Sequence, residues 1–149
     1  MSPPGRPKGQ SLREQREASP ASVPVLRVAR ACSDLEQARR FYCDGLGLAV
    51  LAEFADHDGF DGLIVGLPDA PWHLELVVEH RAVVAPPSPE DLIVLYEPDP
   101  EASAQRQRRL LDAGYAPARS NNPYWDRCGV TFEGPDGYRT VIAHRAWTV

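Results

Sequence analysis

A chain of 149 residues with 43% hydrophobic content has the size of one ordinary globular domain and can bury roughly two thirds of its unfolded surface. The net charge is −5, and the first 22 residues carry +2 (Arg6, Lys8, Arg13 and Arg16 against Glu14 and Glu17), so −7 falls on the remainder; that balance repels phosphate backbones and argues against nucleic acid as a partner. No apolar run approaches the roughly 20 residues needed to cross a bilayer. The N-terminus lacks the apolar stretch of a signal peptide, and Cys32, Cys43 and Cys128 fit neither a CxxC motif nor a disulfide framework, so a cytoplasmic location without membrane contact is expected.

In chain order, residues 1–22 are rich in Pro, Ser, Gln and charge, a composition that buries little apolar surface and reads as a disordered tail. Residues 23–149 read as one domain. VPVLRVARAC (23–32) predicts a strand. SDLEQARRFYCDG predicts a helix, with Ser33 and Glu36 as a capping box, Gly45 as the stop, and Leu35, Ala38, Phe41 and Tyr42 on one apolar face. Three strand candidates follow: LGLAVLAEF, then GLIVGL after the turn-rich DHDGFDG, then WHLELVV after PDAP.

The proline-rich linker 81–90, HRAVVAPPSPE with its ends, resists regular structure, and beyond it the same order restarts. DLIVLYE predicts a strand. Asp99 is a cap with Pro100 at the first helical position, and EASAQRQRRLLDA is a helix stopped by Gly114. YAPARS, CGVTFE and YRTVIAH complete the unit. GLPDAPWHLELVVEHR before the linker is echoed by EGPDGYRTVIAHR near the C-terminus, so one βαβββ unit occurs twice, at about 23–80 and 91–147.

LRVARACSDLEQARRFYCDGLGL, followed later by WDRCGVTFEGPDGYRTVI, resembles the vicinal oxygen chelate superfamily, which includes glyoxalase I, bleomycin-resistance proteins, fosfomycin-modifying enzymes and extradiol dioxygenases. The resemblance covers residues 24–147. Within it, HDGFDG, NPYWD and PDGYR look most like a bacterial branch poor in metal ligands. The fold it implies is α+β, with two tandem βαβββ modules forming a curved, mostly antiparallel eight-stranded sheet around a cavity. It also implies a homodimer.

WHLELVVEH (72–80) carries the densest cluster of polar groups. Alternation along a strand puts His73 and Glu75 on one face, about 6.6 Å apart, and Leu74 and Leu76 on the other; His80 lies beyond the strand. Relatives that use a metal draw one ligand from each of four strands. Glu75 matches the fourth-strand position of the first module. The first-strand position, usually His, falls on Arg27, which stays protonated and cannot coordinate a cation. The second module's positions fall on Leu92 or Asp91 and on Val141 or Ile142. No resident cofactor is therefore expected, since a divalent ion would need an unusual site of His73, Glu75 and a donor such as Asp91.

Arg27 and Glu75 instead read as an arginine–carboxylate pair standing where the resemblance places the metal, with a bidentate fork suited to the two planar groups. Such a pair either fixes the fold alone or forms a site in which Arg27 binds an anionic or carbonyl oxygen and Glu75 acts as base. Tyr124 and Trp125, in NNPYWDR, read as a loop or strand start at a pocket rim. Tyr96 and Tyr138 are further candidates for the cavity lining, on faces that a one-residue shift of register would reverse. Trp72 should face away from His73 and Trp147 should pack the chain end. DHDGFDG lacks the spacing of an EF-hand, RQRR (106–109) reads as a solvated helix face, and Arg30 falls on the helix side.

Two classes of function follow. One is a protein that binds a small organic molecule in a metal-free cavity, as bleomycin-resistance proteins do for sequestration or antibiotic resistance. The other is a metal-independent isomerase, lyase or cyclase in which Glu75 moves a proton, Arg27 steadies negative charge and His73 assists. A metal-dependent glyoxalase or dioxygenase ranks behind both.

Overall fold

The computed structural model describes residues 22–148, so the tail read over residues 1–22 lies, Ser22 apart, outside the described residues. Strand β1 (Leu26–Ala31) leads to helix α1 (Leu35–Arg39), which runs on as a π-helical turn over Arg40–Gly45. Strands β2 (Ala49–His57), β3 (Phe60–Gly66) and β4 (Trp72–Glu79) complete the first unit. The second comprises β5 (Leu92–Tyr96), α2 (Pro100–Asp112), β6 (Pro117–Ala118), an additional short helix α3 (Pro123–Cys128), β7 (Gly129–Glu133) and β8 (Arg139–Ala143). The fold is the expected pair of βαβββ units. The strands hydrogen-bond as two four-stranded sheets, ordered β1-β4-β3-β2 and β5-β8-β7-β6. Among the described residues, β1/β4 and β5/β8 pair in parallel and the other pairings are antiparallel.

The core lies between the sheets and the helices. Ala38, Phe41, Tyr42 and Leu46 from the first helix and Leu110 from the second pack on Leu63, Val65, Leu74, Leu76, Phe132 and Ile142, all buried. Full burial of each large apolar side chain stabilises by roughly 1.5–3 kcal/mol. Trp72 packs against this cluster, on the face opposite His73 as expected. Trp147 differs from expectation: it is 63% exposed.

Helix ends correct the sequence reading in two places. The cap of α1 is Asp34, whose Oδ1 accepts from Glu36 N and Gln37 N at 2.8 and 3.3 Å. Ser33 is committed elsewhere, donating through N–H and Oγ–H to the Asp136 carboxylate at 3.0 and 2.6 Å, which ties the first unit to the PDG turn of the second. Gly45 is not the stop either; the left-handed residue is Gly47, with φ 80°. Gly45 is small because a Cβ there would stand 2.6 Å from Leu110 Cδ2. Asp99, Pro100 and Gly114 behave as expected, with Asp99 Oδ1 accepting from Glu101 N at 3.0 Å.

The RQRR segment is not simply solvated. Arg106 Nη1 donates to Leu46 O at 2.6 Å, and Arg109 donates through Nε to Asp44 O and through Nη2 to Cys43 O. Arg40 Nε, on the first helix, donates to Ala113 O at 3.0 Å. Each helix thus supplies cations to the orphan carbonyls and negative dipole end of the other. Arg30, placed on the helix side, stacks its guanidinium 4.4 Å from the ring centre of Tyr138.

Candidate ligand-binding site

The β1/β4 register places Arg27 beside His73 and Ala29 beside Glu75. Neighbours in parallel strands share a face, so Arg27, His73 and Glu75 lie together, opposite the buried Leu74 and Leu76. Arg27 Nε donates to His73 Nε2 at 2.8 Å and Nη1 donates to Glu75 Oε2 at 2.8 Å. The fork expected to grip Glu75 in bidentate fashion spans two residues instead, because the register offers the imidazole to Nε. Arg27 is 48% exposed and Glu75 17% at the side chain, so the centre is open to solvent on the arginine side. Two consequences are chemical. The Nε2 lone pair is occupied, so neutral His73 carries its proton on Nδ1. Three guanidinium N–H bonds, two on Nη2 and one on Nη1, remain available as donors.

Around this centre the face is apolar. Register puts Ile64 and Val77 beside Glu75 and its strand neighbours. Leu51 and Phe54 lie over Gly66 and Gly62, where an added Cβ would meet them at 3.1 and 2.1 Å. In the second unit the matching face is closed: Thr131, Val141 and Ala143 are buried there beneath α3, which packs on β7 and β8. The first unit has a tight β2–β3 turn at that position, so its face stays open among the described residues.

Aligning the units on their helix caps, Asp34 and Asp99, matches Arg27 with Leu92. The ladders match Ala29–Glu75 with Val94–Val141. The two open alternatives thus resolve to Leu92 and Val141, neither of which offers a donor atom. Asp91 is turned away, its carboxylate accepting from Ser88 N at 2.8 Å. His80 bonds Asp61, with Nε2 3.0 Å from Oδ1. The donors of His73 and Glu75 that would converge on an ion both bind the guanidinium, and among the described residues no three His, Cys, Asp or Glu side chains gather as a ligand set. These residues do not fit the divalent ion that the resemblance implies. Cys32 and Cys43 are poor nucleophiles, since burial pushes Cys32 up to about 11 and also raises Cys43.

Next to the centre, between the β1 and β5 edges, runs a cleft of about 470 Å³, within the usual range for small-molecule sites. Leu26, Val28, Leu48, Leu67, Trp72 and Leu74 form one wall and residues 92–97 the other, and His73 borders it. The Arg106–Glu97 pair, 3.8 Å apart, also lines it.

Tyr124 and Trp125, read as a loop or strand start, sit on helix α3, which Asn122 caps by accepting from Tyr124 N at 3.0 Å. Trp125 meets Tyr124 and Tyr96 edge-on, with ring centres 5.0 and 6.4 Å apart. Tyr96 reaches the cleft; Tyr124 lines a smaller neighbouring hollow, shared with Tyr96 and Arg145. Tyr138 stands apart from these rings, beneath Arg30. Sequence reasoning missed Arg145, which donates to Tyr124 Oη at 2.5 Å, and the leucine-lined seam, for which strand periodicity carries no signal.

Residues 26–77 match the model of a YycE-like N-terminal domain and residues 90–144 that of a YycE-like C-terminal domain. The uncharacterized protein YycE of Bacillus subtilis (strain 168) is 42% identical over 118 residues, 78% of this chain and 85% of the relative. The crystal structure of a YycE protein of unknown function from Bacillus subtilis superposes with a TM-score of 0.75 at 40% identity, covering 83% of this chain and 90% of that one. TnmS3, an antibiotic binding protein from Streptomyces sp. CB03234, gives a TM-score of 0.58 at 26% identity over 84% and 98% of the two chains. The trypanothione-dependent glyoxalase I of Leishmania major shares the fold, with a TM-score of 0.65 at 16% identity over 83% and 88%.

Proposed function

The chain belongs to the YycE-like family of the vicinal oxygen chelate superfamily, and from that premise we propose that it binds a small organic molecule at a metal-free site centred on Arg27, His73 and Glu75 and the adjoining cleft. One observation carries the reading: the Arg27 guanidinium takes Nε2 of His73 and Oε2 of Glu75 and keeps spare N–H bonds, and the His73 it holds borders an apolar, ligand-sized cleft. A guanidinium so held presents donors in a fixed plane to a carboxylate, phenolate or carbonyl oxygen, and the apolar walls supply affinity in proportion to the ligand surface they cover. The antibiotic binding activity of TnmS3 supports small-molecule capture on this scaffold.

The test is a thermal-shift screen of apolar carboxylates, phenols and ketones. A ligand at 100 times its Kd should stabilise the protein by about 2.7 kcal/mol, and the shift should disappear in Arg27→Ala. A hit whose shift survives unchanged in Arg27→Ala, Val28→Trp and Glu75→Gln would place binding elsewhere and overturn the reading.

A further inference from the structure

Features of the seam narrow the class of molecule it takes, an inference that rests on the ligand-binding reading above. β1 and β5 are the outermost strands of their sheets, and no described strand pairs along their outer edges. Between those edges the lining is largely apolar and includes Val28, Leu74, Leu92 and Val94. At the Arg106 end the polar groups neutralise each other, since Arg106 Nε lies 3.8 Å from Glu97 Oε2 while Nη1 is spent on Leu46 O. At the His73 end the groups left over are donors. Arg27 fixes His73 in the tautomer with its proton on Nδ1, and among the described residues Nδ1 has no hydrogen-bond partner.

We propose that the seam cleft takes an apolar molecule bearing an oxygen acceptor, anionic in its tightest-binding form, and that His73 determines this specificity by donating Nδ1–H to that oxygen. Arg27 acts on the ligand partly through His73: its Nε–H bond keeps the imidazole a donor towards the cleft. A ligand that offers only a donor meets a second donor there and loses the contact.

Two fluorescent probes with the same ring system separate the parts of the proposal: 1-anilinonaphthalene-8-sulfonate, with an anionic acceptor, and N-phenyl-1-naphthylamine, without one. They are titrated into the full-length protein and its His73→Phe, His73→Gln and Val28→Trp variants. Both probes should bind the unsubstituted protein, and Val28→Trp, which fills the cleft from a half-exposed position, should weaken both. His73→Phe should weaken the sulfonate about tenfold or more, the worth of a charge-assisted hydrogen bond, and leave the neutral probe within twofold. His73→Gln, whose amide can donate, should recover part of the loss, which separates a lost donor from a damaged fold. Equal effects of His73→Phe on both probes, or none on either, would overturn the acceptor specificity while leaving the cleft as a binding site. Failure of the unsubstituted protein to bind either probe, or indifference of both to Val28→Trp, would overturn the cleft itself and with it the parent reading.

Discussion

At the scale of single residues, Arg27 draws together His73 and Glu75, the second of which stands at the position that the resemblance gives to a metal ligand. Because the pair with Glu75 is half open to water, it adds little to stability, on the order of 0–1 kcal/mol. Arg27→Ala should therefore fold with a melting temperature within a few degrees of the parent, while affinity for an acidic hit falls tenfold or more; unchanged affinity by calorimetry would refute the role. A second residue-level prediction concerns acid. Asp61 accepts from the Asp56 N–H at 2.7 Å, which with His80 holds its carboxyl below the usual carboxylate value. Its contribution is thus complete above the ordinary aspartate pKa, near 3.9, and is lost as pH falls through the lowered folded value. Asp61→Asn should flatten the fall of the melting temperature below about pH 4, and an acid limb identical to the parent's would contradict this. Arg27 and Glu75 were legible because strand alternation fixes faces and the helix start fixes the count back to Arg27. Their bonding was not, since a pattern of faces does not say which of two acceptors a guanidinium will choose. The same limit misassigned Ser33: it looked like a cap, and only the fold brings Asp136 to it.

At the scale of elements, the two helices stabilise each other through their C-terminal ends. Arg109→Ala removes two bonds to carbonyls and should cost about 1–2 kcal/mol, whereas Arg108→Ala, on an exposed side chain, should stay within about 0.5 kcal/mol; denaturant melts of both variants make the comparison, and equal costs would count against the reciprocal capping. Gly45→Ala should destabilise by about 1–3 kcal/mol through overpacking against Leu110, although a helix interior otherwise favours alanine. Helix periodicity separated the apolar face of α2 from its polar one but could not show that carbonyls of another helix lie against the polar one. Helix α3 was missed for another reason. Its cap and first residue, Asn122 and Pro123, are ordinary start signals, yet six residues are too few for a 3.6-residue period to register.

At the scale of the molecule, the duplicated unit was legible because both copies keep their helix caps and the PDxxx turn before the last strand. The asymmetry between copies was less so, although it makes the site. An inserted helix closes the second face, and a tight hairpin leaves the first one open, with Arg27 exposed and His73 and Glu75 partly buried. The seam was beyond the sequence, because whether β1 and β5 join into one ladder depends on how the helices and the Ser33–Asp136 contact hold the two units. That contact suggests that Asp136→Ala, which strands two Ser33 donors, should lower stability by about 1–3 kcal/mol without weakening a ligand of the first unit's face.

The central claim is that a guanidinium, not a metal, organises this site. Its most direct test is elemental mass spectrometry of untagged protein, as purified and after incubation with zinc, nickel, manganese and iron(II). Well under one ion per chain under every condition, unchanged in Glu75→Ala, is the predicted result. One ion per chain that disappears in Glu75→Ala would contradict the claim and return the site to metal chemistry.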